Sequence, residues 1–143
     1  MADIFHELPI RAPIERVFEA VSTPEGLDTW WTKACSGRAA AGETYDLDFG
    51  PAYQWQAHVT TCTPVIAFEI QFTRSDADWN GTRVGFELET RDDRTWLKFH
   101  HTGWPSLNEH YRISNTCWAA YLRILRRSLE HGEFVQYEDR LDV

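Results

Sequence analysis

Residues 106–132 read SLNEHYRISNTCWAAYLRILRRSLEHG, and the period of this stretch decides the fold. Ser106 and Glu109 have the spacing of a capping box, in which each side chain answers the other residue's backbone N–H. Tyr111, Trp118, Leu122, Leu125 and Leu129 then recur on one helical face until Gly132, a residue suited to a left-handed C-cap. About 24 residues at 1.5 Å each reach roughly 36 Å, enough for one helix to cross a whole small sheet.

Upstream of that helix the period is two. Tyr45, Leu47 and Phe49 alternate with Asp46 and Asp48, and Trp55, Ala57 and Val59 alternate with Gln54, Gln56 and His58. The same holds for Ile66, Phe68, Ile70 and Phe72, for Val84, Phe86 and Leu88, and for Leu97, Phe99 and His101. Gly50-Pro51, Thr63-Pro64, Asn80-Gly81 and Asp92-Asp93 separate these runs. Short turns between alternating runs predict an antiparallel meander with one dry face and one wet face. At the beginning, IFHELPI (4–10) reads as a strand, with Pro9 placing it at an edge or an end. Pro13 opens a short amphipathic helix through Ile14, Val17, Phe18 and Val21. Thr23 caps a second one, on which Leu27, Trp30 and Trp31 share a face. The expected fold is α+β: a curved antiparallel sheet of about six strands gripping a long C-terminal helix, with two short helices after the first strand.

At 143 residues the chain is expected to form a single domain, 1–143. Aromatic residues make up 14% of it and include seven tryptophans, enough to fill a large core or wall a pocket. A net charge of −8, with only Arg123, Arg126 and Arg127 clustered, argues against a nucleic-acid partner. Cys35, Cys62 and Cys117 are odd in number and lack a C-x-x-C pair, which fits free thiols in a reducing compartment. With no membrane-length apolar run and no signal pattern at Met1-Ala2-Asp3, the expected location is the cytoplasm, without a membrane partner.

The sequence resembles the SRPBCC superfamily of START-like, birch-pollen-allergen helix-grip domains, and more narrowly the bacterial homologues of the heat-shock protein 90 ATPase activator. The resemblance rests on APIERVFEAV (12–21), TPEGLDTWW (23–31), FHHTGW (99–104) and WAAYLRIL (118–125), in order and over nearly the whole chain. In the eukaryotic co-chaperone a domain of this type is joined to a separate N-terminal domain. The resemblance implies a cavity for hydrophobic small molecules, used for binding in some members and for polyketide cyclisation in others.

Candidate site residues follow from that cavity and from the periodicity. The resemblance implies that the second short helix, with Trp30 and Trp31, lies near the mouth of the grip; adjacent helical residues point about 100° apart, so one can anchor while its neighbour borders the pocket. Trp55, Phe68, Phe86, Tyr111 and Trp118 would supply apolar walls. On the helix, Ser114 and Asn115 interrupt the stripe of Tyr111 and Trp118, and alternation turns His101 inward, so these three would fix polar groups of a ligand. His100 points the opposite way from His101, so the pair cannot converge on a metal. No nucleophile elbow, P-loop, zinc-protease or dinucleotide motif is present, and neither a cofactor nor a metal is expected. The leading expectation is a binder of a small hydrophobic or amphipathic ligand without catalysis. The alternatives are a cyclase or dehydratase using His101 as acid/base, and a chaperone-related or regulatory interaction module. Trp96, on the wet face, makes a homodimer conceivable.

Overall fold

The computed structural model describes residues 2–142, so the first and last residues of the expected domain lie outside the described residues. β1 (Ala2–Ile10) leads into α1 (Ile14–Ser22) and α2 (Pro24–Leu27). Six strands follow: β2 (Ala34–Ser36), β3 (Thr44–Asp48), β4 (Gln54–Thr63), β5 (Ala67–Arg74), β6 (Arg83–Arg91) and β7 (Arg94–Trp104). α3 (Glu109–His131) and a single 3-10 turn (Tyr137–Asp139) complete the chain. The sheet is wholly antiparallel in the order β1-β7-β6-β5-β4-β3-β2, so β2 to β7 form a meander and β1 closes against its last strand. This is the expected helix grip. The three-residue β2 is an addition that no alternation in ACS announced.

Local chemistry explains the joints. Asp92 and Asp93 both adopt positive φ, 51° and 62°, and join Arg91 to Arg94 in the two-residue hairpin that matches strand twist. Thr23 Oγ1 accepts from the Gly26 N–H at 2.9 Å, capping α2 with Pro24 in its first turn. Gly26 lets α2 fold back onto α1, since a Cβ there would lie 2.3 Å from the Glu19 carbonyl oxygen. The α3 cap differs from the expected box: Asn108, not Ser106, is the N-cap, its Oδ1 accepting from the Tyr111 N–H at 2.9 Å. Asn outcompetes the earlier serine because it stands one residue before the helical run. At the other end Gly132 takes the left-handed cap as expected.

The core lies between the concave face of the sheet and the inward stripes of α1, α2 and α3. Trp118, Leu122 and Leu125 of α3 are buried there with Phe68, Phe72, Phe86 and Phe99 of the sheet. Tyr111 is only half-buried, and its hydroxyl donates to the Asp3 carbonyl at 2.6 Å, tying α3 to β1. On the convex face His100, over Gly85, donates through Nε2 to Glu69 Oε2 at 2.7 Å. Thr60 and Arg83 also donate to the Glu69 carboxylate. Glu69 is thereby partly buried, and these donors hold its carboxyl down at about 2, the His100 hydrogen bond contributing most.

Candidate functional site: an aromatic cavity beside the long helix

A cavity of about 290 Å³ opens between α3, the β3–β4 end of the sheet and the C-terminal segment. From the sheet side come Phe49, Tyr53 and Trp55, with Trp31 after α2 and Trp79 from the β5–β6 connection. α3 contributes His110, Ile113, Ser114, Cys117, Trp118 and Tyr121, and the C-terminal segment adds Tyr137 and Leu141. The aromatic walls pack on one another: Trp31 lies 5.1 Å from Trp118, and Trp55 lies 5.3 Å from both Phe49 and Trp79. Tyr53, Ile113 and Leu141, each more than half exposed, make the rim apolar as well.

Of the ten residues expected at the site, the structure brings Trp31, Trp55, Ser114 and Trp118 to this cavity. Trp30 and Trp31 divide their work. The Trp30 indole N–H donates to the Ala20 carbonyl at 2.9 Å and its ring meets Phe86 edge-on, which pins the turn to α1, while Trp31 borders the cavity. Phe68 and Phe86 pair across β5 and β6 inside the solid core. Tyr111 is turned toward β1.

Asn115 requires a correction, because it is exposed. At about 100° per residue, the stripe of His110, Ser114, Cys117 and Tyr121 is rotated roughly 60° from the stripe centred on Trp118 and Leu125. The latter packs on the sheet and the former faces the cavity, while Asn115 falls on the opposite flank. Choosing Trp118 as the centre of the wheel concealed this second stripe, although spacing at i, i+4, i+7 and i+11 was legible. Ser114 is buried at the border of the two stripes and lines the cavity. The indole N–H of Trp79 is buried without a partner.

His101 is inward, as alternation predicts, but it belongs to the core and not to the cavity wall. It is fully buried. Trp118 Nε1, which can only donate, donates to His101 Nδ1 at 3.0 Å, so the proton of the neutral ring sits on Nε2. Nε2 donates to Thr82 Oγ1 at 2.8 Å, and Thr82 in turn donates to the Trp79 carbonyl at 2.6 Å. Burial, reinforced by His100 and His110, pushes the imidazole down to about 3. With both nitrogens engaged and the ring neutral, His101 has no free position for proton transfer.

Sequence reasoning missed the C-terminal segment entirely. Arg140, 2% exposed, donates to three backbone carbonyls: Asp28 at 2.7 Å, Thr32 at 3.1 Å and Val135 at 3.1 Å. Tyr137 donates to the Phe49 carbonyl at 3.1 Å. These bonds strap the segment across the turn that carries Trp31, so that Tyr137 and Leu141 complete the cavity. Cys117 is half-buried in the wall, and burial raises its thiol. Among the described residues no group of three or more His, Cys, Asp or Glu is placed to hold a metal ion, and no helix is long and apolar enough to cross a membrane. A larger surface groove of about 650 Å³ runs over Arg11, Glu15, Asp92, Asp93 and Arg94, where charges of both signs mix.

A seven-stranded antiparallel sheet wrapped on a long C-terminal helix, with a cavity between them, defines a START-like helix-grip domain of the SRPBCC type. Within that class, residues 11–130 match the family described as activator of Hsp90 ATPase homolog 1-like protein, and the chain belongs to this family. It is similar to the solution structure of the Aha1 dimer from Colwellia psychrerythraea, at 31% identity and a TM-score of 0.84, covering 93% of this chain and 99% of that one. A Bacillus halodurans protein solved in solution is 25% identical with a TM-score of 0.76, covering 91% of this chain and 98% of that one. CalU16 from Micromonospora echinospora shares the fold at 17% identity and a TM-score of 0.72, with 98% and 83% covered. No curated protein matches the sequence.

Proposed function

We propose that this protein binds a small, flat, largely apolar molecule in the cavity beside α3. The observation that carries this reading is a space of about 290 Å³ walled by Trp31, Trp55, Trp79 and Trp118, with Ser114 among the lining residues. Four indole faces offer stacking and burial, and one hydroxyl offers orientation, the usual division of labour in a ligand pocket. The volume stands at the low end of the range of about 300–1,000 Å³ for drug-sized sites, which favours a molecule of one or two rings over a long acyl chain. Binding is favoured over catalysis at His101 by the closed hydrogen-bond chain around that ring. A chaperone partner draws support from the family's description alone.

The test is a tryptophan-fluorescence titration with one- and two-ring aromatic compounds against the wild type and Cys117→Phe, which fills the cavity from its wall. Saturable quenching that weakens at least tenfold in Cys117→Phe is the expected result. Equal affinity in both proteins would remove the site from this cavity.

A further inference from the structure

The cavity wall carries one titratable pair that ligand binding alone does not use. His110 stands in the first turn of α3, and its Nδ1 lies 2.9 Å from Asp78 Oδ2, in the β5–β6 connection. An ionised carboxylate can only accept, so Nδ1 carries the proton and the Nε2 lone pair of the neutral ring is free. Nε2 makes no hydrogen bond among the described residues; its nearest ionic neighbour is Asp76 Oδ2 at 3.8 Å. The ring is held edge-on against Trp104, 5.4 Å between centroids. Asp78 is itself positioned by Asn108 Nδ2, at 3.3 Å from the same oxygen, and Asp76 by the Trp79 N–H at 2.8 Å. His110 and Ser114, one helical turn apart, both line the cavity.

We propose that His110, oriented by Asp78, is a general base acting on the molecule held in the cavity; this rests on the binding function proposed above. The substrate class is a flat, apolar-faced molecule with an acidic C–H beside a carbonyl or comparable electron sink. Nε2 takes the proton, the C–H electron pair moves into the new C=C bond, and the carbonyl π pair moves onto oxygen within reach of the Ser114 hydroxyl. The imidazolium then returns the proton at a second position, so the product is a tautomer and no co-reactant is consumed. Asp78 Oδ2 at 2.9 Å from Nδ1 and Asp76 Oδ2 at 3.8 Å from Nε2 flank the ring. Asp78 is a positioning residue; it fixes which nitrogen carries the proton and which lone pair is free.

The probe is 5-nitrobenzisoxazole, a flat bicyclic compound whose ring C–H is removed by a base. The C–H pair forms the nitrile, the N–O bond breaks to leave a coloured phenolate, and the base passes its proton to water. Wild-type protein should release phenolate faster than the same concentration of free imidazole. His110→Gln should lose that rate about 100-fold, the usual worth of a positioned base, while still binding the probe by tryptophan quenching. Asp78→Asn should lower kcat about tenfold with KM unchanged, a split that mere loss of packing would not produce. If His110→Gln binds the probe and wild-type protein shows no rate above imidazole, or a rate that His110→Gln retains, the general base is overturned and the cavity stands. If neither protein binds the probe, the cavity reading falls and the base with it.

Discussion

His101 is neutral because of what surrounds it, and its protonation is therefore a statement about stability. Unfolded, an imidazole takes its proton near 6.5; folded, this one does so only at about 3. Between those values the unfolded chain binds more protons, so the stabilisation is complete above about pH 6.5 and is lost as pH falls toward the folded value, by at most about 1.4 kcal/mol per pH unit. Glu69 acts in the same direction in a lower window, from its ordinary 4.5 down to about 2, as its hydrogen bonds from His100 and Thr60 are lost. Urea midpoints should fall between about pH 7 and about pH 5, and His101→Asn, which keeps an acceptor for Trp118 and cannot titrate, should flatten that fall. Identical slopes in the two proteins would assign the acid sensitivity elsewhere. At neutral pH, His101→Ala should cost about 3 kcal/mol, from a cavity plus the unanswered Trp118 N–H, read as a shift in the same midpoint.

At the scale of elements, the C-terminal segment and the α1–α2 corner decide whether the cavity exists. Removing the Arg140 guanidinium leaves the carbonyls of Asp28, Thr32 and Val135 without their donor. Arg140→Met should release the strap, expose Cys117 and speed its alkylation at least tenfold in a Cys35→Ser, Cys62→Ser background, while α3 stays folded by far-UV circular dichroism. An unchanged alkylation rate would show that the segment closes the site without Arg140. Gly26→Ala should be worse for stability than its size implies. Its Cβ would meet backbone of α1 at 2.3 Å, so the corner must open, at a cost of about 2 kcal/mol or more in thermal or urea unfolding. Because Trp30 and Trp31 follow that corner, Gly26→Ala should also weaken any ligand that stacks on Trp31.

At the scale of the whole molecule the question is association. The Colwellia relative, at 31% identity, is described as a dimer, and sedimentation equilibrium tests whether this chain associates at all. Trp96 is placed on the convex face as alternation predicts, half-buried, its indole N–H donating to Glu7 at 2.7 Å with the Arg91 guanidinium 4.3 Å above the ring. Intramolecular partners account for it. The exposed apolar side chains on that face and beyond it, Phe5 and Ile66, are separate from the rim of the cavity at Tyr53, Ile113 and Leu141. A monomer at all attainable concentrations would detach this chain from its relative's state without touching the cavity.

The sequence by itself determined the architecture and the inward direction of His101, because periods of two and near four, turn residues and caps are local physics that repeats along the chain. It marked TPEGLDTWW as a capped short helix with both tryptophans on one face, whereas α2 ends at Leu27 and both follow in the turn; which of them borders the space followed from Trp30 finding the Ala20 carbonyl ten residues away. Tertiary structure alone decided the site. Which of two helical stripes meets solid sheet and which meets a void depends on how α3 is rotated in its grip, and that rotation is set by Trp118 reaching His101 and Tyr111 reaching Asp3. The wall from residues 137–141, the Arg140 strap and the pairing of His110 with Asp78 join positions far apart in sequence, where no periodicity could register them.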